Sequence, residues 1–166
     1  IEWLRAELED AAFKYLKPTE YRLIADNIAQ KKREREAYIN EVIGLLRQKL
    51  DEFHVNADIF GRAKHLYSIY RKMSLEGLNI DDIYDIIAFR VVVDTIKECY
   101  EALGIIHAAY KPIPGKFSDY IALPKANMYQ SLHTKIMGPH GEKVEIQIRT
   151  REMHRLAGRD RGPLEI

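Results

Sequence analysis

The sequence has one cysteine, no long apolar run and no marked excess of either charge. The single cysteine, Cys99, excludes a disulfide within the chain of 166 residues and favours a reducing compartment, so we expect a cytoplasmic protein. No stretch approaches the ~18 consecutive apolar residues that a membrane-spanning helix needs. With 46% hydrophobic and 31% charged residues, the composition excludes disorder as the overall state.

The charges nearly cancel. Lys and Arg number 26 against 25 for Asp and Glu, a formal net charge of +1, whereas a protein that coats nucleic acid needs a large positive excess. No charged and apolar leader opens the chain, which begins at Ile1 without a methionine. We therefore expect a piece of a longer protein.

Three common chemical signatures are also missing. The sequence contains no glycine-rich Walker loop, no Gly-x-Ser-x-Gly motif and no Cys/His spacing typical of a zinc site. If the protein binds nucleotide phosphates, they must be held by Lys, Arg and a metal ion.

Residues 1–53 have a helical pattern, with apolar residues three and four positions apart. Pro18 predicts that one helix ends and another begins there. The charged run over residues 31–36 alternates basic and acidic side chains, which favours a solvated helix face over a nucleic-acid patch. We expect these residues to form a helical arm.

The rest of the chain alternates between strand and helix patterns. Strands are predicted over residues 55–62, 86–93, 129–137 and 143–149, the last two joined as a hairpin. Helices are predicted over residues 65–75, over residues 95–109 with Thr95 as the cap, and from Arg151. This predicts an α/β fold with a mixed sheet, divided into an arm (1–53), a catalytic domain (54–157) and an unassigned tail (158–166).

The predicted helix after the first strand carries cations on one face. Lys64, Ser68 and Lys72 are spaced four residues apart and lie opposite its apolar stripe. A helix that starts after a strand also offers free backbone N–H groups, so this face suits a triphosphate. The alternative is an amphipathic helix with an ordinary solvated face.

The hairpin is predicted to present a chemically diverse surface. Period-two geometry gives one polar face to Tyr129, Ser131, His133 and Lys135 on the first strand, and to Glu145, Gln147 and Arg149 on the second. A polar outer face is normal for a hairpin. The mixture of phenol, imidazole, ammonium, carboxylate and amide nevertheless favours a functional site.

Two carboxylates suggest a metal site. Asp85 precedes the buried strand that contains Arg90, and an acidic residue entering such a strand needs a partner. If Asp85 and Glu145 meet at neighbouring strand ends, a cation must lie between them, and oxygen ligands beside phosphates favour magnesium. The residues thus predict metal-dependent phosphoryl or nucleotidyl transfer without naming a substrate.

Four segments together carry a resemblance to a known family. Residues 61–72, 85–90, 124–134 and 144–150 closely resemble the synthetase domain of the RelA/SpoT (Rel) alarmone enzymes, within a likeness from about Leu8 to Ala157. The resemblance implies a nucleotidyltransferase-like mixed sheet flanked by helices. It also implies stringent-response chemistry, in which the β,γ-pyrophosphate of ATP is transferred to the 3′-oxygen of GDP or GTP to give AMP and (p)ppGpp.

The resemblance also implies roles for the residues of the donor site. Arg62 and Arg90 would hold the adenine of ATP. The phosphates of ATP would be contacted by Lys64, Ser68 and Lys72.

Magnesium and the reacting hydroxyl are assigned in the same way. By resemblance, Asp85 and Glu145 would bind Mg²⁺, and Glu145 would also accept the proton of the 3′-hydroxyl. The family's hydrolase domain, with its His-Asp motif, is missing from this sequence, so we expect no hydrolase activity. Hydrolase and regulatory domains of a longer parent are the expected partners, and any ribosome contact would be made through them.

For the acceptor nucleotide, the resemblance implies that Tyr129 stacks on guanine, that Lys125 and His133 contact its phosphates and that Gln147 lies near its ribose. Two features depart from the family. Residues 116–119 match neither loop class of the family fully, which leaves the choice between GDP and GTP open. Met128 replaces a glycine that many relatives carry, and we expect this change to be tolerated.

Two rival functions remain. One is a toxin-like synthetase that pyrophosphorylates an RNA 3′ end, which a strongly basic surface would favour. The other is a catalytically silent domain that senses nucleotides. The presence of both Asp85 and Glu145 argues against the silent domain.

Overall fold

The computed structural model describes residues 2–30, 32–63 and 87–161. Three helices begin the chain: α1 (Glu2–Leu16), α2 (Pro18–Gln30) and α3 (Lys32–Glu52). Pro18 opens α2, where its missing N–H costs no helical hydrogen bond. Within the described residues, the helical pattern predicted for residues 1–53 and the break at Pro18 are therefore confirmed.

A mixed sheet follows the helices. Its strands are β1 (Asp58–Ala63), β2 (Ile87–Val93), β3 (Ser118–Asp119), β4 (Leu132–Met137) and β5 (Lys143–Thr150). Within the described ranges they lie in the order β1-β2-β5-β4-β3, and β2 and β5 run parallel while the other neighbours are antiparallel. The predicted mixed α/β sheet is confirmed.

In the described residues, two further helices contact this sheet. The first, α4 (Ile96–Ala109), begins at Thr95, whose side chain accepts a hydrogen bond from the Glu98 N–H at 3.1 Å. This is the predicted N-cap, and it satisfies one of the free N–H groups of the first turn. The second, α5 (Arg151–Arg161), directly follows β5.

One face of the sheet is apolar and forms the core with α3 and α4. Val91, Ile146 and Ile148 are fully buried there, as is Cys99 of α4. Burial, together with the nearby carboxylate of Glu98, raises the pKa of the Cys99 thiol to about 12. The expected packed thiol is confirmed.

Several boundaries differ from the sequence prediction. β1 begins at Asp58 rather than at residue 55, and β4 begins at Leu132, so Tyr129 and Ser131 precede the strand. Ser131 is fully buried and donates a hydrogen bond to the Ile148 carbonyl at 3.1 Å, which corrects its predicted place on an open polar face. The predicted helix over residues 65–75 lies outside the described residues, and the division into residues 1–53, 54–157 and 158–166 stays a prediction.

α3 is held close to the sheet at Gly61 of β1. A Cβ at this position would lie 2.6 Å from Ile39 Cγ2 and 3.0 Å from Phe89 Cε1. Phe89 belongs to the core and the half-buried Ile39 packs against it, so neither can move away without cost. The lack of a side chain at Gly61 therefore sets the distance between α3 and β1.

A polar contact joins the same helix to the turn between β4 and β5. Glu41 lies 3.0 Å from His140 Nε2, and the Tyr38 hydroxyl donates to the Glu142 carboxylate. The hydrogen bond that His140 donates to Glu41, with smaller help from the charges of Glu41 and Glu142, raises the pKa of His140. The turn is thereby attached to α3.

None of the helices within residues 2–30, 32–63 and 87–161 has an apolar stretch long enough to cross a bilayer.

We predict that Gly61→Ala lowers the free energy of unfolding by about 1–3 kcal/mol, the usual cost of adding a methyl group to a packed interior. Gly104→Ala is the matched control, because Gly104 lies within α4 with nothing within 4 Å of an added Cβ. There the same change should stabilise the protein by about 0.5–1 kcal/mol through helix propensity. Chemical denaturation of both variants measures the two values, and equal effects would contradict the close packing at Gly61.

We also predict a pH-dependent contribution from His140. Because its folded-state pKa is raised, the charged imidazole stabilises the protein fully below its unfolded pKa of about 6.5. That contribution is lost as the pH rises through the raised value. The melting temperature of His140→Asn should thus fall further below that of the wild type at pH 5.5 than at pH 8.5. Glu41→Gln should reproduce this difference, and a pH-independent difference would exclude the ion pair.

Candidate functional site

The second face of the sheet is polar because of the strand registers. Arg90 of β2 pairs with Gln147 of β5, which in turn pairs with His133 of β4. The adjacent row contains Arg62, Ala88, Glu145 and Lys135. Since alternate residues of a strand share a face, both rows lie opposite the apolar core. The sheet thus brings together side chains from four separate segments of the sequence.

The Gln147 amide lies between a cationic half of this face, which contains Arg62 and Arg90, and an aromatic half, which contains Tyr129 and His133. Gln147 is 5% exposed, and its Oε1 accepts a hydrogen bond from Arg90 Nη2 at 3.4 Å and from the Tyr129 hydroxyl at 3.5 Å. The Tyr129 hydroxyl is also 2.8 Å from His133 Nε2. Which of the two groups donates depends on the tautomer of His133. A chain of hydrogen bonds therefore crosses the sheet from Arg90 to His133.

The cationic half contains two arginines. Arg90 is only 7% exposed, and Arg62 is half-buried on the neighbouring strand. Burying a guanidinium is costly unless its donors are satisfied, so a positive charge held at this depth is suited to an electron-rich or anionic ligand. The other predicted donor-site residues, Lys64, Ser68 and Lys72, lie outside the described residues.

The aromatic half is formed around Tyr129. This residue is 7% exposed, and its ring meets that of His133 edge-on at 5.5 Å between centroids. Lys125 Nζ lies 5.2 Å above the Tyr129 ring and 4.7 Å above that of Tyr120. A base that stacks on the Tyr129 face beneath Lys125 would take the place of the ammonium.

A tight turn connects Lys125 to Tyr129. The Met128 N–H donates to the Lys125 carbonyl at 2.8 Å, and the Lys125 N–H donates to the Tyr129 carbonyl at 3.1 Å. Asn127 Oδ1 accepts from the Tyr129 N–H at 3.1 Å. Met128 closes this turn with a φ of 65°, a left-handed conformation that favours glycine. This explains physically why a glycine suits the position.

Glu145 is the carboxylate of the described polar face. It is half-buried, lies directly across the strand pair from Lys135, and is separated from Arg62 by the small Ala88. The neighbouring strands thus place a cationic side chain on each side of it. Its predicted partner Asp85 lies outside the described residues, and within the described part no cluster of three or more potential metal ligands occurs. A carboxylate oxygen is nevertheless the type of donor that magnesium prefers.

The loop before the aromatic half is organised by Asp119. Its Oδ1 accepts from the N–H groups of Ile121 and Ala122 at 3.0 and 2.9 Å, and its Oδ2 accepts from the Tyr100 hydroxyl at 2.9 Å. Partial burial alone would raise the pKa of Asp119, but these hydrogen bonds outweigh it and lower the pKa overall. Asp119 therefore fixes the loop conformation.

Two features of the site were missed by the sequence analysis. Arg149 is completely buried rather than part of an open surface, with Nη2 2.8 Å from His154 Nδ1 of α5. Tyr120, which directly follows β3, contacts the aromatic half. No periodic pattern marks either position, because α5 and the turn at Asp119 create both environments.

A family profile matches most of the polar face. Residues 61–160 match the family described as "Region found in RelA / SpoT proteins". This match includes the second half of β1, all of β2, the loop with Tyr120 and Lys125, the hairpin and most of α5.

Two longer proteins are similar over almost the whole chain. The chain is 51% identical over 157 residues to a GTP pyrophosphokinase of Myxococcus xanthus, covering 95% of this chain and 21% of that protein. It is 48% identical over 151 residues to a GTP pyrophosphokinase of Escherichia coli (strain K12), covering 91% and 20%. The chain thus spans about a fifth of the length of these relatives.

A solved structure supports the fold. The small alarmone synthetase 2 from Bacillus subtilis is similar with a TM-score of 0.59 and 25% identity, over 82% of this chain and 77% of that one. The α/β architecture with a mixed sheet is that of an alarmone synthetase of the nucleotidyltransferase-like fold.

We predict that Met128→Gly raises the free energy of unfolding by about 0.5–1 kcal/mol. Glycine removes the cost of a left-handed side-chain-bearing residue, although it adds entropy to the unfolded chain. Met137→Gly is the matched control, since Met137 belongs to the extended strand β4 and should lose about 0.5–1 kcal/mol instead. Thermal unfolding compares the two variants, and destabilisation by both would contradict the strained turn.

Proposed function

The chain belongs to the RelA/SpoT family, and we propose that it transfers the β,γ-pyrophosphate of ATP to the 3′-hydroxyl of GDP or GTP, releasing AMP and forming (p)ppGpp. The observation that carries the proposal is the polar face of the sheet, on which a cationic half and an aromatic half are joined through Gln147. The similar proteins named GTP pyrophosphokinase support the same chemistry. The single buried cysteine is compatible with a cytoplasmic location for this reaction.

ATP would occupy the cationic half. The planar guanidinium groups of Arg62 and Arg90 suit stacking on adenine, and the hydrogen bond from Arg90 to Gln147 holds one of them in place. Lys64, Ser68 and Lys72 would contact the phosphates. A donor fixed at its base and at its phosphates presents the β-phosphorus toward the middle of the sheet.

GDP or GTP would occupy the aromatic half. Guanine would stack on Tyr129 once Lys125 moves from the ring toward the phosphates, where His133 supplies a second contact. Gln147 would lie near the ribose, since its amide is next to both Tyr129 and the β5 residue Glu145. This arrangement directs the 3′-hydroxyl to the middle of the sheet from the other side.

Glu145 would accept the proton of the 3′-hydroxyl as its oxygen attacks the β-phosphorus. The bond between that phosphorus and the oxygen bridging to the α-phosphate breaks, and AMP leaves with the bridging oxygen. Lys135 across from Glu145 adds positive charge beside the transferred group. Two reactants held in line account for much of the acceleration in reactions of this type.

Magnesium fits the proposal through the chemistry of its donors. Glu145 and Asp85 would provide carboxylate oxygens, and the phosphates of the donor would complete the coordination. Bound there, magnesium would neutralise charge on the transferred group. A hydrolase reaction is not part of the proposal, and the hydrolase and regulatory regions would belong to a longer parent.

The proposal predicts a defined set of products. The protein is mixed with ATP, Mg²⁺ and either GDP or GTP, and the products are separated by anion exchange. We expect equal amounts of AMP and a guanosine tetra- or pentaphosphate. Glu145→Ala should lower the turnover by about a hundredfold or more, the scale of a lost general base, and leave nucleotide binding largely intact.

Glu101→Ala is the control, because Glu101 lies on α4 and forms an exposed ion pair with Lys97 at 3.6 Å. It should retain wild-type turnover. Wild-type turnover in Glu145→Ala would contradict the role of Glu145. A folded wild-type protein that binds both nucleotides and forms no product would favour a silent sensing domain, and product formed only on an RNA 3′ end would favour the toxin-like synthetase.

A further inference from the structure

Tyr120 lies at the aromatic half, and its backbone is fixed on both sides. It directly follows the edge strand β3, and its N–H donates to the Ser131 carbonyl at 2.9 Å. The next two N–H groups are held by the Asp119 carboxylate. The half-buried Tyr120 ring therefore projects from a segment that cannot readily rearrange.

The ring contacts each of the three acceptor-site side chains of the aromatic half. Its centroid is 5.2 Å from that of His133, with the rings nearly perpendicular at 88°. It is 6.4 Å from the centroid of Tyr129 at 64°. Lys125 Nζ lies over it at 4.7 Å, closer than it lies to Tyr129. Tyr120 is thus the common neighbour of Lys125, Tyr129 and His133.

The steep angle between the two tyrosine rings has a consequence for ligand binding. The rings form a corner that holds the Lys125 ammonium by cation–π attraction. A base that stacks on Tyr129 displaces the ammonium from that ring only, and the Tyr120 ring still attracts it. The long lysine side chain, which would otherwise lose much rotamer entropy on binding a phosphate, then remains beside the bound nucleotide.

We propose that Tyr120 is a positioning residue of the acceptor site, which holds Lys125 and His133 where the phosphates of a guanosine nucleotide bind. The inference rests on the proposed function, because that function identifies the nucleotide. The role of Tyr120 can be tested separately from that function, because it depends on the face of the Tyr120 ring and not on the groups that react. A phenylalanine ring at this position should serve nearly as well as tyrosine, and an aliphatic side chain should not.

The test measures binding rather than turnover. Isothermal titration gives the Kd of GDP and, separately, of a non-hydrolysable ATP analogue for wild type, Tyr120→Phe and Tyr120→Leu. We expect Tyr120→Leu to weaken GDP binding about fivefold or more, as for the loss of one cation–π contact, and to leave the ATP-analogue Kd within about twofold. Tyr120→Phe should bind GDP within about twofold of the wild type.

Three controls separate positioning from a general loss of structure. Tyr15→Leu changes an exposed tyrosine of α1 and should alter neither Kd. Tyr120→Met replaces Tyr120→Leu if the leucine variant does not fold. In a Lys125→Ala background the effect of Tyr120→Leu on GDP binding should shrink, because the ammonium that it positions has been removed.

The outcomes distinguish this inference from the proposed function. Unchanged GDP affinity in Tyr120→Leu, or an equal loss in Tyr120→Phe, overturns the positioning role. Tighter GDP binding in Tyr120→Leu also overturns it, because Tyr120 would then hold Lys125 as an obstruction. If the wild-type protein binds GDP but forms no product, the proposed function is contradicted, and the GDP affinities of the variants still decide the role of Tyr120. If it binds no GDP, the proposed function and the role of Tyr120 are both contradicted.

Discussion

The parallel pairing of β2 with β5 is the constraint on which the polar face depends. It places Arg90 beside Gln147 and Ala88 beside Glu145, although these residues are more than fifty positions apart in the chain. Because side chains alternate between faces, a shift of β2 by one residue would turn Arg90 toward the core and expose Val91. A shift of β5 would do the same to Gln147 and Ile148. The free energy gained by burying Val91 and Ile148 stabilises the fold. Through the register, it also fixes where Arg90 and Gln147 lie.

Gln147 has a particular place in this arrangement because an amide oxygen can accept from two directions. Arg90 reaches it from β2 and the Tyr129 hydroxyl reaches it from the segment before β4. A buried polar group with both bonds made rigidifies its surroundings, and one with a bond missing is costly. Arg90 and Tyr129 are thereby kept in a fixed relation through the Gln147 amide.

The sequence predicted most of the secondary structure and the polar face, because both follow from short-range patterns. Alternation along β5 assigned Glu145 and Gln147 correctly to one face and Ile146 to the other, and Thr95 was recognisable as a cap. Tyr120 and the burial of Arg149 could not be predicted in this way. Tyr120 is oriented by the turn at Asp119, and Arg149 is covered by α5 through His154, so both depend on contacts between distant segments. The roles assigned to all of the site residues stay predictions, and Lys64, Ser68, Lys72 and Asp85 also lie outside the described residues.

The burial of Cys99 affects how the protein responds to electrophiles and oxidants. Peroxides, alkylating agents and thiol-exchange reagents react with the thiolate, and with a pKa of about 12 only about one molecule in 10⁴–10⁵ carries it at neutral pH. Because Cys99 is also inaccessible in the core, the rate at which its thiol reacts depends on how often the protein unfolds. It does not depend on the redox potential of the surrounding solution. A cysteine introduced on the surface would consequently be the reactive thiol of the folded chain, so fluorophores or spin labels could be attached there without replacing the native residue.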